Sequence, residues 1–152
     1  VIPEGADEEA TQEFQFAELL MVLPAAWPLS EKKPNDPKND WPVTALKQMA
    51  RLPLQQQAFL AEGQSIQYDE YYRPYHGSVG FVGSLLVRPV TYPEVFKPLV
   101  TPHGPINFYS AFPLYQRELF YLRRYGYGAF RRLLELNEVY EIMHPRRVCL
   151  VE

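Results

Sequence analysis

The side chains that carry most protein chemistry are scarce in this sequence, which has three histidines, His76, His103 and His144, and one cysteine, Cys149. None stands at a close ligand spacing such as Cys-x-x-Cys or His-Glu-x-x-His, where two donors from one turn or one helical face reach a single ion. No metal and no other cofactor is expected. His144 and Cys149 lie near each other in the final, strand-like stretch. A nucleophile and its base also need an orienting acid and donors for an oxyanion, and the neighbouring residues supply neither. Cys149 is read as a buried apolar thiol. Gly77-x-x-Gly80-x-x-Gly83 has the outline of a phosphate loop but lacks the Gly-x-Gly opening and the Lys-Ser/Thr ending. It also runs into a strand, whereas a phosphate is held at the N-terminus of a helix. A turn or bulge is the better reading. Asp69 and Glu70 could work as general acid and base only if both faced one site, and neighbours on an extended chain point to opposite sides. No constellation favours an enzyme.

One cluster remains. Tyr68, Asp69, Glu70, Tyr71, Tyr72 and Tyr75 crowd into eight positions, and tyrosine offers large, stiff, amphipathic area of the kind enriched at protein interfaces. These six are the candidate partner-binding residues. The competing reading makes the rings a roof over the core, and exposure separates the two.

The totals restrict the class of protein further. At 152 residues, 47% hydrophobic and 22% charged, the chain fits one globular domain over residues 1–152. It has no apolar run near the roughly 20 residues that cross a bilayer. The opening, Val-Ile-Pro-Glu-Gly-Ala-Asp-Glu-Glu, is not that of an export signal. A single cysteine suits a reducing compartment, and a cytoplasmic location is expected. The net charge of −3 is unevenly spread: Glu4, Asp7, Glu8, Glu9, Glu13, Glu18 and Glu31 all precede the first base, Lys32. The arginines toward the other end are diluted by Glu118, Glu135, Glu138 and Glu141, so nucleic-acid binding is not expected.

The elements that must position these groups can be read from pattern. Residues 17–23 read as a strand, followed by an exposed, mobile, proline-rich loop to Pro37. Asp40, with Trp41-Pro42 behind it, reads as a helix entrance. Trp41, Ala45, Leu46, Met49 and Leu52 share one helical face. Pro53 opens a further helix through Leu60, with Gly63 as its stop. Residues 84–90 and 106–112 read as strands able to pair antiparallel, the second ended by Pro113. Two amphipathic helices are expected, over 115–124 and 129–136, separated by Gly126 and Gly128. The runs 139–143 and 148–151 are strand candidates. Without βαβ alternation, the fold class is α/β of the α+β type, a mixed, largely antiparallel sheet flanked by helices.

Taken in order, several of these pieces resemble the Suppressor of fused family, and its compact bacterial branch in particular. They are Pro3-Glu4-Gly5-Ala6, Ala17-Glu18-Leu19-Leu20-Met21-Val22-Leu23-Pro24-Ala25-Ala26-Trp27-Pro28-Leu29, Trp41-Pro42-Val43, Leu46-Lys47-Gln48-Met49-Ala50-Arg51-Leu52-Pro53 and Gly63-Gln64-Ser65-Ile66. Ile106-Asn107-Phe108-Tyr109, Pro113-Leu114-Tyr115, Glu118-Leu119, Gly126 and Pro145-Arg146-Arg147 follow. The resemblance implies a binding module and not an enzyme. Animal members clasp a short peptide as an added strand, and compact bacterial members look like immunity proteins that block a toxin made beside them. The implied partner is therefore a protein, either a toxin domain or a peptide segment; an intracellular regulator that sequesters a peptide or transcription factor is the alternative, and a hydrolase the remote one. Two features depart from the pattern. The aromatic and acidic gripping residues of animal members would fall near Leu52 and Gln64, and a further N-terminal section of bacterial relatives is absent before Val1.

Overall fold

The computed structural model describes residues 4–28 and 36–152. The chain runs α1 (Glu8–Phe14), β1 (Phe16–Leu20), α2 (Pro37–Met49), α3 (Leu52–Gln56), β2 (Ser65–Gln67), β3 (Phe81–Val87), β4 (Leu99–Thr101), β5 (Gly104–Tyr115) and α4 (Gln116–Leu136). The sheet order is β1-β5-β3-β2, with β4 also paired to β5. Only β1 runs parallel to its neighbour. This is the expected mixed, largely antiparallel sheet flanked by helices.

The layers follow from alternation along the two central strands. Tyr109 and Ala111 of β5, with Phe81 and Leu86 of β3, meet Trp41, Ala45 and Met49 on one face. Phe112 and Leu114, with Val82 and Leu85, meet Leu119, Leu122 and Phe130 of α4 on the other. A bulge between Phe81 and Gly83 shifts the register against β5. It reverses the alternation, so that Phe81 shares a face with Leu86 while Val82 and Leu85 serve the other.

Several boundaries differ from the sequence reading, each for a physical reason. The helix α2 begins at Pro37, not at Asp40. Asp36 caps it by accepting from the Lys38 N–H at 3.2 Å, and the Asp36 N–H is held in turn by Asp40 Oδ2 at 3.0 Å. Two Asp-to-Pro entrances compete here, and the earlier one leaves only Pro42 inside the helix. The helix α3 stops at Gln56 because Gln57 turns left-handed (φ 48°), so residues 58–60 lie outside any helix or strand and Leu60 is buried. Pro113 does not end β5. Its carbonyl accepts from Arg147 on the side away from β3, where β1 has already ended at Ser110. The missing N–H therefore faces no strand. At Gly126, by contrast, the backbone is non-helical (φ 83°, ψ 170°) and divides α4 into two helical arms, the break that the sequence reading places there.

The strand candidates at 139–143 and 148–151 form no strand; a single bridge joins Ile142 to Val22. The rest of that tail is held by side chains, as described below. Neither α1 nor β4 was expected. Asp7 caps α1 at 2.6 Å from the Ala10 N–H, with Glu8 and Glu9 placed favourably in its first turn. The centre of the proline-rich loop, residues 29–35, lies outside the described residues.

Candidate protein-interaction surface

The six clustered residues form a built turn. Asp69 Oδ1 accepts from the N–H groups of Tyr71 (2.9 Å) and Arg73 (3.0 Å), and Oδ2 pairs with Arg73 Nε. Desolvation opposes the charge, but the Arg73 and Tyr71 N–H groups and the Arg73 guanidinium outweigh it and hold the Asp69 carboxyl below its ordinary value. Tyr72 adopts a left-handed backbone (φ 57°) and packs its ring against Phe120 at 5.1 Å. Tyr75 stacks on Trp41 at 5.3 Å and bonds Ser84 Oγ at 2.8 Å. Burial raises its phenol well above the ordinary value. Tyr68 lies against Tyr75 at 4.8 Å. Glu70 is exposed, and Tyr71, 70% exposed, projects with the Arg73 guanidinium 5.5 Å from its ring. Asp69 and Glu70 therefore diverge, one turned into its own loop and the other into solvent.

Of the remaining chemistry-bearing residues, His76, His144 and Cys149 are engaged locally. His76 Nδ1 pairs with Ser78 Oγ at 2.8 Å, His144 Nδ1 accepts from the Arg146 N–H at 3.3 Å, and Cys149 Sγ donates to the Val151 carbonyl at 3.2 Å. Among the described residues no group of three His, Cys, Asp or Glu could hold a metal ion. No helix among them is long and apolar enough to cross a membrane. Two of the three spaced glycines serve close packing. A Cβ on Gly83 would come within 2.5 Å of the Ile66 carbonyl oxygen, and one on Gly80 within 2.7 Å of the Tyr115 ring.

A more extensive surface lies along β1. Among the described residues this strand has β5 on one side and no strand on the other. A groove of about 480 Å³ runs beside it, floored by Phe14, Ala17 and Leu19 and walled by Leu46, Leu54 and Phe59. Ala17 and Leu19 point to the α2 face and Glu18 to the other, yet all three line the groove, which places it at the strand's edge. The left-handed Gln57 is what returns Phe59 to the groove, where its ring sits 6.3 Å from Phe14. Leu54 stands 68% exposed at the rim. An open strand edge beside apolar pockets can take an extended segment, main chain to main chain, with side chains chosen by the pockets. Leu52 packs against the core, while Gln64 accepts from the Ala61 N–H with its side chain and from the Leu86 N–H with its carbonyl. Both positions are occupied by local structure.

Sequence reasoning also missed the clasp that shapes this end of the sheet. Glu118 is fully buried and accepts both guanidinium nitrogens of Arg147 at 2.5 Å, together with the N–H groups of Tyr115 and Leu150, each at 2.9 Å. The Arg147 guanidinium lies 4.8–5.3 Å from the Phe81, Phe112 and Tyr115 rings. It also donates to the Pro113 carbonyl at 2.7 Å. Tyr115 Oη closes the ring by donating to the Arg147 carbonyl at 2.6 Å.

Known structures share this arrangement of elements. The Sufu–Fu complex matches with a TM-score of 0.68 at 18% identity, covering 95% of this chain and 62% of that one. Drosophila Suppressor of Fused matches at 0.68 and 17%, covering 95% and 34%. A putative Suppressor of fused homologue from Neisseria gonorrhoeae FA 1090 matches at 0.61 and 14%, covering 90% and 64%. The chain thus spans about a third to just under two thirds of the length of these proteins. Comparison with curated proteins returns no match. The family described as Suppressor of fused protein (SUFU) matches residues 2–148, and the chain belongs to the Suppressor of fused family.

Proposed function

We propose that this chain is a non-catalytic protein-binding module that takes an extended segment of its partner along the free edge of β1. The observation that carries the reading is the groove beside that edge, which joins a backbone edge with no strand partner among the described residues to an apolar wall ending at the exposed Leu54. Membership of the family supports binding, and one solved relative is a complex with another protein, Fu. The local engagement of His76, His144 and Cys149 is consistent with a role without catalysis. The partner we favour is a toxin domain made beside this protein, which makes the chain a cytoplasmic immunity protein. The acidic, exposed helix α1, suited to a basic toxin surface, supports that choice, as does the resemblance of the sequence pieces to the compact bacterial branch. Sequestration of a regulator's peptide is the alternative partnership.

A second reading puts the contact at the tyrosine turn, on the strength of the exposed Tyr71 and Glu70. Tyr68, Asp69, Tyr72 and Tyr75 would then hold that surface in shape. Leu54→Glu and Tyr71→Ala separate the two sites. Loss of roughly tenfold or more in partner affinity for Leu54→Glu alone supports the groove, and the reverse result supports the turn. Co-expression with the toxin encoded next door tests the partner: growth arrest that this protein fails to relieve excludes the immunity role.

A further inference from the structure

The arginines of α4 are diluted by acids along the sequence but not in space. Glu118 and Glu141 are buried, the first against Arg147, and Glu135 pairs with Arg131 at 3.0 Å. From Gln116 to Leu134 the helix therefore presents no exposed acid, while Arg117, Arg123 and Arg124 are exposed and form no ion pair among the described residues. On the adjoining turn Asp69 is committed to Arg73, and Glu70 forms no ion pair with α4. Leu119 and Leu122 turn inward. At about 100° per residue, Arg117, Phe120 and Arg124 then share the outermost line of the arm before Gly126, with Tyr121 beside them. Phe120 is 46% and Tyr125 55% exposed. These rings are braced. Tyr72, left-handed in backbone, sets its ring edge-on to Phe120 at 5.1 Å. Tyr121 lies 4.6 Å from Tyr125, and the Arg124 guanidinium lies 5.4 Å from the Tyr125 ring. Arg123 donates to Gln67 Oε1 at 2.9 Å.

Guanidinium groups without a counter-charge form their strongest bonds with carboxylates, often two at a time. Rings held in place beforehand lose little freedom when a partner covers them. Arginine and aromatic residues are also the types concentrated at the centres of protein interfaces. Single-stranded nucleic acid uses the same types, but in a groove that tracks its backbone, whereas the outer line of a helix is convex. We propose that the first arm of α4 binds an acidic segment of a second protein, with carboxylates on Arg117 and Arg124 and an apolar side chain against Phe120. This face lies across the sheet from α2, so the proposal does not depend on the groove beside β1.

The test uses the whole chain, followed by ¹⁵N–¹H spectra during titration with three probes. They are a short synthetic peptide of glutamates interspersed with leucine and phenylalanine, the same peptide with glutamine in place of glutamate, and an oligothymidylate of equal charge. The acidic peptide should shift the amides of Arg117, Phe120 and Arg124 saturably, and the glutamine peptide should bind about tenfold more weakly or worse. Raising salt from about 0.02 M to about 0.5 M should weaken the acidic peptide about fivefold or more. Arg117→Gln combined with Arg124→Gln should weaken it about tenfold. Lys38→Gln combined with Arg51→Gln removes as much charge from the α2 side and should leave it within about twofold. Phe120→Ala should weaken both peptides about fivefold without changing the salt dependence of the acidic one. Equal binding of the two peptides to the unaltered chain overturns the proposal. So do equal losses from the two double variants, tighter binding of the oligothymidylate than of the acidic peptide, and the absence of any saturable shift at millimolar acidic peptide.

Discussion

Replacing Arg147 by Met is the most informative single perturbation of this fold. Met preserves the hydrocarbon packing against Phe81, Phe112 and Tyr115 but removes both bonds to Glu118 and the bond to the Pro113 carbonyl. The Glu118 carboxylate then remains fully buried with only the Tyr115 and Leu150 N–H groups. Removing one partner of a buried pair costs about 3–5 kcal/mol, a large share of the roughly 5–15 kcal/mol that holds a domain together. For a chain of this size that is a fall of roughly 6–20 °C in midpoint. Urea unfolding followed by far-UV circular dichroism measures it, with an unchanged slope showing that the two end states are the same. The comparison is Arg131→Met, which breaks a pair whose two side chains are each 63% exposed. That loss should stay below about 0.5 kcal/mol, because water screens the charges. Glu118→Gln added to Arg147→Met removes the stranded charge and keeps an acceptor, and it should restore at least half of the lost stability. A cost below about 1 kcal/mol for Arg147→Met, or a double variant no more stable than the single one, would refute the claim that this pair anchors the tail.

Other outcomes follow from the same geometry. The Asp69 carboxyl titrates below its ordinary value in the folded chain, so on acidification the unfolded chain takes up that proton first. The stabilisation is therefore full above about pH 4 and disappears as pH falls through the folded value. Asp69→Asn should flatten that part of the stability profile, read as urea midpoints at stepped pH. Gly83→Ala drives a Cβ against the Ile66 carbonyl oxygen and should cost about 1–3 kcal/mol, with faster hydrogen exchange at the β2 amides. Gly126→Ala meets open space, but its backbone (φ 83°, ψ 170°) lies in a region that is essentially glycine-only, so its cost should be that backbone strain, about 1–3 kcal/mol by the same unfolding assay. Tyr75→Phe removes the bond to Ser84 while keeping the stack on Trp41. It should lower stability by about 1 kcal/mol and leave near-UV dichroism nearly unchanged.

Much of the fold was legible in the residues themselves, because it rests on local periodicity. The face Trp41, Ala45, Met49, the strands that became β3 and β5 and their antiparallel pairing, and the two helical arms about Gly126 all follow from spacing that any packing partner would satisfy. The family, too, was visible in the order of short pieces spread along the chain. Boundaries were less legible wherever two local signals competed, as at Asp36-Pro37 and Asp40-Trp41-Pro42, or where a proline's missing N–H faced an open side, as at Pro113. The candidate surface was hardly legible at all. The tyrosine cluster stands out by composition, but only its surroundings decide that Tyr75 lies under Trp41 while Tyr71 faces solvent. The groove depends on β1 being an edge strand and on Gln57 turning left-handed, and neither property belongs to any local pattern. Glu118 and Arg147 are 29 residues apart and look like ordinary surface charges; they become a buried pair because the tail folds back over β5. Propensity and alternation are properties of neighbours in sequence and so determined the helices and strands, whereas edges, cavities and buried ion pairs arise from neighbours in space and were decided only when the layers closed.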